Sequence, residues 1–141
     1  MSGFDLVRCQ SYPSSSSSFS SSPYDLGLCQ DIVIPVCMEG IPYNSTIMPN
    51  VLGHQTQEEA AGEAGKFYPF VLLQCSPDLR LFVCSVYAPV CNVVGEPIPP
   101  CRPLCESARD DCSEMMSYYG FPWPDAFSCE QFPQAGLCFG L

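Results

Sequence analysis

Charged side chains are scarce in this chain, and basic ones are the scarcest. Only 14% of the 141 residues are charged, with 5 lysines and arginines against 15 aspartates and glutamates, so the formal net charge is −10. Binding to nucleic acid or to an anionic membrane surface requires a basic patch. We therefore expect neither kind of partner, whereas a basic protein partner is compatible with this composition.

The chain also lacks the residues that metal sites and catalytic centres need. His54 is the single histidine, and no two cysteines have the C-x-x-C spacing that many zinc sites use. We find no glycine-rich phosphate loop and no nucleophile with a plausible base near it in the sequence. The sequence therefore predicts that the protein is not an enzyme and that it holds no metal and no cofactor.

Long apolar segments are missing as well. Residues 81–95 are uncharged, but Pro89 interrupts them and they are shorter than a membrane-spanning helix requires. The first ten residues, MSGFDLVRCQ, do not contain the apolar core of a signal peptide. We expect no membrane span and no signal peptide in this chain, which favours a fragment of a longer exported protein.

Cysteine, by contrast, is abundant. Eleven cysteines in so short a chain indicate a disulfide framework and hence an extracellular or cell-surface location. Residues 1–24 are predicted to be a disordered tail, because the serine-rich run at 14–22 can bury almost nothing, and residues 25–141 a single folded domain. Cys9 lies in the tail and is the odd cysteine, so we expect it to be unpaired or cross-linked to another chain.

The segment at residues 101–124 predicts the main helix of the domain. Pro103 suits the first turn, where the missing N–H is not needed, and Gly120 followed by Pro122 is a common way to end a helix. Apolar residues recur there at spacings of three and four, which predicts one inward stripe: Cys105, Ala108, Cys112, Met115 and Tyr119.

A second helix is predicted to start at Thr56, which has capping-box spacing with Glu59. Pro69 should bend this helix, because the proline ring collides with the carbonyl one turn earlier. A bend inside the aromatic stretch at residues 67–70 would open a gap for a ligand. The predicted inward stripe of this helix is Ala60, Ala64, Phe67, Val71 and Cys75.

The remaining elements are predicted to be shorter. A largely buried helix should run from Ser76, as its N-cap, to about Tyr87, although the β-branched content of LFVCSV leaves a strand as the alternative. Residues 32–34 are predicted to form a brief strand. Residues 92–100 are predicted to be an irregular link that could contain a second short strand. Residues 123–127 are predicted to form one helical turn. The fold class is thus mainly α and disulfide-rich, with about four helices and one or two very short strands. The sequon at residues 44–46 predicts glycosylation of Asn44.

Ten cysteines from Cys29 to Cys138, with YNSTIMPNVLGH, FYPFV, CSPDL, CSVYAPVC, IPPC and YGFPWPD between them, resemble the cysteine-rich domain of the Frizzled receptor family. The resemblance implies a compact, mostly helical domain with five disulfides. The sequence alone leaves their connectivity open. The resemblance implies the pairs Cys29–Cys91, Cys37–Cys84, Cys75–Cys112, Cys101–Cys138 and Cys105–Cys129, with Cys9 unpaired.

The resemblance also implies a lipid-binding groove between the bent helix and the end of the main helix. The positions that match the groove are Phe67, Pro69 and Leu73 on one wall and Met116, Tyr119 and Phe121 on the other. Lys66 would lie on the rim, and Leu81 and Phe139 would form a second contact with a partner loop. Without the resemblance, the six groove residues would be read as ordinary core.

The function that the resemblance implies is that of an extracellular Wnt-binding domain, the ligand-binding part of a Wnt receptor. Its partner would be an acylated Wnt protein, whose fatty acyl chain is a ligand rather than a cofactor, and a lipid-mediated homodimer is compatible with this interpretation. Two alternatives stay open: a secreted Frizzled-related decoy that sequesters Wnt, and an accessory module of a larger extracellular enzyme or matrix protein.

Overall fold

The computed structural model describes residues 28–140, and most of its regular structure is helical. The predicted tail and Cys9 lie outside the described residues. The α-helices are α1 (Gln57–Ala64), α2 (Tyr68–Leu72), α3 (Leu79–Tyr87) and α4 (Arg102–Tyr118). Two strands, β1 (Cys29–Asp31) and β2 (Ser45–Ile47), form an antiparallel pair. The predicted fold class is confirmed, and no helix within residues 28–140 is both long and apolar enough to cross a membrane.

Helix α4 is the longest element, as predicted, but its buried face differs from the predicted stripe. Pro103 lies in the first turn, and the chain reverses at Gly120, where φ is +80°. The buried residues of α4 are Leu104, Cys105, Ala108, Cys112 and Met116. The prediction is therefore wrong at the end of the helix, where Met115 is only partly buried and Tyr119 is 61% exposed. Tyr119 lies seven residues after Cys112, which would place it on the same side of a continuing helix, but it follows the last helical residue, Tyr118, where the backbone leaves the helix.

The predicted bend between α1 and α2 is present, and a 3₁₀ segment (Gly65–Phe67) makes it. Helix α1 begins after Thr56, whose hydroxyl accepts a hydrogen bond from the Glu59 N–H at 3.1 Å, so the predicted capping box is confirmed. Pro69 lies in the first turn of α2 rather than inside one continuous helix. Because the 3₁₀ turn shifts the helical phase, Phe70 is buried after Phe67, whereas the predicted Val71 and Cys75 are only partly buried.

Helix α3 confirms the helical interpretation of residues 79–87, and the strand alternative is wrong. Seven of its nine residues are buried. The helix begins at Leu79 rather than directly after Ser76, because the Ser76 hydroxyl accepts the Asp78 N–H at 3.1 Å and holds a turn ahead of the helix.

The first strand comes earlier than predicted, because β1 ends at Asp31. The Ile32 N–H still donates to the Asn44 carbonyl, but the Val33 N–H donates to the Gln57 side chain at 2.8 Å. A 3₁₀ turn (Pro35–Cys37) follows. In the link at residues 92–100, Pro100 forms a single-residue bridge with Phe139. A side chain from α1 thus diverts residues 32–34 from the sheet.

Five disulfides join these elements, and they are the pairs that the resemblance implies: Cys29–Cys91, Cys37–Cys84, Cys75–Cys112, Cys101–Cys138 and Cys105–Cys129. Helix α3 packs against α4, and an aromatic cluster lies beside it. Phe82 contacts Trp123, Phe127 and Phe132 with ring centroids 5.0–6.0 Å apart. The predicted turn near residues 123–127 is present as a 3₁₀ segment (Asp125–Phe127).

Candidate functional site

The two predicted groove walls meet in the structure. The Phe121 ring lies 5.2 Å from the Phe67 ring and 5.7 Å from the Phe70 ring, measured between centroids. The Tyr119 ring lies 6.2 Å from the Phe70 ring. The segment that follows α4 therefore packs directly on the bend between α1 and α2, where the resemblance places the groove.

The predicted groove residues divide into a buried layer and an exposed layer. Phe67 is 2% exposed and Met116 is fully buried, and Phe121 is partly buried above them. The Phe67 ring also contacts Phe127 and Tyr87, at 5.1 and 6.3 Å. Phe67 and Met116 are thus core residues that form the floor beneath the predicted groove.

The exposed layer is a surface of unusually large apolar side chains. Leu73 is 52% exposed and Tyr119 is 61% exposed, and Pro69 is also exposed. Sequence reasoning missed Leu72 and Tyr118, which are 66% and 81% exposed and extend the same surface. We call Pro69, Leu72, Leu73, Tyr118 and Tyr119 the apolar face. Contiguous exposed apolar surface of this kind marks an interaction site more often than isolated residues do.

A signal for the missed residues exists in the sequence. Residues 70–73 read FVLL, which is apolar on every side of a short helix. Phe70 occupies the buried side of α2, so Leu72 and Leu73 must face outwards. A one-turn helix with apolar residues all round has to expose some of them, because only one side can face the core.

Covalent and polar links fix α2 and α3 against α4. The Cys75–Cys112 disulfide holds the end of α2 to the middle of α4, with Cα atoms 5.2 Å apart. Two reciprocal hydrogen bonds connect α4 with the turn before α3. Ser76 donates to Asp111 at 2.7 Å, and Ser107 donates to Asp78 at 2.6 Å. The position of the apolar face therefore depends on the packing of several elements.

Two buried or partly buried phenols, Tyr43 and Tyr87, are held in their neutral form. Burial raises the pKa of Tyr43 above its ordinary value, and its hydroxyl donates to the Ala88 carbonyl at 2.8 Å. Burial also raises the pKa of Tyr87, and the nearby Glu63 carboxylate adds to that shift. The Tyr87 hydroxyl lies 3.4 Å from Glu63. Both groups therefore act as structural donors at neutral pH.

The other predicted residues lie away from the apolar face or at its margin. Lys66 is exposed and immediately precedes Phe67. Leu81 and Phe139 are partly buried, on α3 and near the C-terminus, and the Phe139 ring packs against Tyr43 at 5.5 Å. Asn44 is exposed, so an attached glycan would point into solvent.

Comparisons with known proteins match this fold. A sequence model of the Fz domain family matches residues 29–136. Frizzled-1 of Xenopus laevis is 53% identical over 119 residues, a match that covers 82% of this chain and 21% of that protein, so the chain spans about a fifth of this relative. The crystal structure of the Smoothened cysteine-rich domain superposes with a TM-score of 0.52 at 27% identity, covering 74% of this chain and 92% of that one. The chain therefore belongs to the Fz domain family, the cysteine-rich domains of the Frizzled type.

Proposed function

We propose that this domain is the extracellular ligand-binding part of a Wnt receptor, and that its apolar face captures the fatty acyl chain of Wnt. The observation that carries the proposal is the apolar face itself: four large side chains, Leu72, Leu73, Tyr118 and Tyr119, are each more than half exposed, on two segments that the Phe70–Tyr119 ring contact joins. Five disulfides agree with an oxidising, extracellular location.

The energetics suit a lipid ligand. Each methylene group removed from water contributes about 0.8 kcal/mol, so burial of about ten would contribute about 8 kcal/mol. Association costs at least about 4 kcal/mol in lost freedom of motion. An acyl chain alone would therefore bind weakly, and protein contacts must add to its affinity. We assign the second contact to the surface near Leu81 and Phe139, which the resemblance implies.

The ligand would lie on the apolar face rather than between the buried residues of the floor, Phe67 and Met116. Phe67 and Met116 are already packed against other side chains, so a chain that entered the floor would first have to displace core residues. Lys66 lies at the margin, where its stem can cover apolar surface while the amine stays in water. The exposed part of the site can accept a flexible chain without unfolding the core.

Binding of an acylated Wnt to immobilised domain, measured by surface plasmon resonance, tests this proposal. Leu73→Glu and Tyr119→Glu should each weaken binding at least about tenfold, because a buried unpaired carboxylate opposes an apolar ligand. Val93→Glu is the matched control, since Val93 is 54% exposed on the loop after Cys91 and lies outside the apolar face. Wild-type affinity in both test variants would refute the groove assignment.

The receptor interpretation is favoured over the two alternatives. The 53% identity to a Frizzled over most of this chain supports a receptor domain more directly than a secreted decoy or an accessory module. We further propose that the domain has no catalytic activity and needs no cofactor. An exposed apolar face would also allow two copies to enclose one acyl chain, which analytical ultracentrifugation with and without lipid would detect.

A further inference from the structure

A second concave site adjoins the apolar face, between the end of α2, the start of α3 and the turn that follows residue 37. It is a cavity of about 540 Å³, which is within the size range of small-molecule sites. Its lining includes Gly40, Pro42, Val71, Gln74, Arg80 and Leu81. The lining thus combines apolar walls with three polar residues: one cation, one amide and one serine, Ser76.

Arg80 is held in a fixed position in this lining. Its Nη1 atom donates to the Val36 carbonyl at 3.1 Å and to the Glu39 carbonyl at 2.9 Å. Gly40 has a φ of +83°, and a Cβ atom added there would lie 2.7 Å from Arg80 Cδ. The turn therefore needs glycine at this position, both for its backbone and to let the arginine side chain lie against it.

Arg80 forms no ion pair with any of residues 28–140. The ion pairs in that range join His54 to Glu63 and Arg109 to Asp110. The acidic residues of the adjoining elements are Glu39, which meets Arg80 through its backbone carbonyl, and Asp78 and Asp111, whose carboxylates accept hydrogen bonds from serine hydroxyls. A partly buried guanidinium with unused donors on Nη2 can bind a carboxylate through strong charge-assisted hydrogen bonds.

The backbone conformation of Gln74 is a second observation about this cavity, separate from those on Arg80. Its φ is +59°, in the left-handed region that glycine normally occupies. The hydrogen bonds there are those of a helix cap: the Gln74 N–H donates to the Val71 carbonyl, and the Cys75 N–H donates to the Phe70 carbonyl. A glutamine at this position costs stability that glycine would not, and Gln74 is, like Arg80, one of the residues that line the cavity.

We propose that this cavity binds a small organic acid, with its carboxylate on Arg80 and Gln74 and its apolar body against Val71 and Leu81. The guanidinium donates to the carboxylate oxygens, and the amide of Gln74 adds a neutral donor. The apolar walls select an acid with a compact hydrocarbon body over a short hydrophilic one. Leu81 also belongs to the second contact assigned above, but binding of a carboxylate by Arg80 does not require acyl capture by the apolar face.

The test compares two probes that share one body, 2-naphthylacetate and the neutral 2-naphthaleneethanol. Each is titrated into the oxidised, isotopically labelled chain and followed by amide NMR shifts. We expect the acid to shift the amides of Gln74, Arg80 and Leu81, and the alcohol to bind at least about tenfold more weakly, since charged hydrogen bonds are stronger than neutral ones. Equal affinity for the two probes, no shifts, or shifts confined to the apolar face would overturn the proposal.

Two variants extend the test. Arg80→Gln should weaken binding of the acid at least about tenfold, whereas Arg109→Gln, which removes an arginine on α4, should leave it unchanged. Gln74→Gly should raise the thermal unfolding midpoint and still weaken acid binding, a combination that a purely structural role does not produce. Undiminished acid binding in both Arg80→Gln and Gln74→Gly would refute the site even if Arg80→Gln disturbed the neighbouring turn.

Discussion

At the scale of single residues, neighbouring aromatic side chains of the candidate site have opposite roles. Phe67 is packed among three other rings, whereas Tyr119 is mostly exposed. The sequence places both on the same predicted groove, because spacing alone does not show how deep a residue lies. How deeply Phe67 and Tyr119 lie depends on the 3₁₀ segment before Pro69 and on the turn at Gly120.

This difference predicts unequal costs of truncation. Phe67→Ala should lower the free energy of unfolding by about 3–5 kcal/mol, because it leaves a cavity in the core. Tyr119→Ala should lower it by less than about 1 kcal/mol, since an exposed side chain loses little packing. Denaturant unfolding of the oxidised variants measures both values. Similar costs for the two substitutions would contradict the division into floor and apolar face.

The buried tyrosines predict how stability depends on alkaline pH. The folded-state pKa of Tyr87 is raised above its unfolded value of about 10. Its contribution is therefore complete below about pH 10 and is lost as the pH rises towards the folded-state pKa. The free energy of unfolding should fall above about pH 10, and less steeply in Tyr87→Phe. An equal slope in that variant would show that Tyr87 is not the titrating group.

At the scale of elements, the sequence predicts helices well and strands poorly. Capping boxes, prolines and glycines are local signals, so the start of α1 and the reversal after α4 follow from them. The end of β1 depends instead on the Gln57 side chain, which reaches the Val33 N–H from a distant part of the chain. The phase change between α1 and α2 comes from the 3₁₀ segment (Gly65–Phe67), which the helical periodicity of the sequence does not predict, and it explains why Phe70 rather than Val71 is buried.

The cap of α1 offers a direct test at this scale. Thr56→Ala should lower the free energy of unfolding by about 1 kcal/mol, because the Glu59 N–H loses its acceptor at the start of the helix. Thr56→Ser retains the hydroxyl and should cost clearly less. Chemical denaturation of the three oxidised proteins measures the difference. Equal losses in the alanine and serine variants would mean that the methyl group, not the cap, is responsible.

At the scale of the whole molecule, cross-links determine how the elements are arranged. Ten cysteines allow hundreds of pairings, and neither composition nor spacing selects one. The resemblance to Frizzled domains supplied the pairs, and the structure has the same ones. The predicted inward stripe includes Phe67 but not Met116, and the resemblance placed both in an open groove; that both are buried was not predicted, because it depends on how distant segments pack on them.

Removing single disulfides distinguishes their contribution to the stability of the domain from their contribution to the geometry of the candidate site. Replacing both cysteines of Cys75–Cys112 or of Cys29–Cys91 by alanine should cost about 3–4 kcal/mol in each case, because each bridge closes a long loop. Only the first replacement should also weaken Wnt binding, since that bridge ties α2 to α4. Calorimetry and surface plasmon resonance report the two effects. Equal losses of binding would contradict a site built between these helices.

Capture of an acyl chain by the apolar face is the central claim, and native mass spectrometry tests it without any protein partner. Oxidised chain is mixed with a cis-unsaturated C16 fatty acid, alongside the variants Leu73→Glu and Val93→Glu. Because an acyl chain alone binds weakly, the lipid is used in large excess, and we predict a complex for the wild type and for Val93→Glu, and its loss in Leu73→Glu. Absence of a complex with the wild type, or an equally abundant complex with Leu73→Glu, would contradict the account.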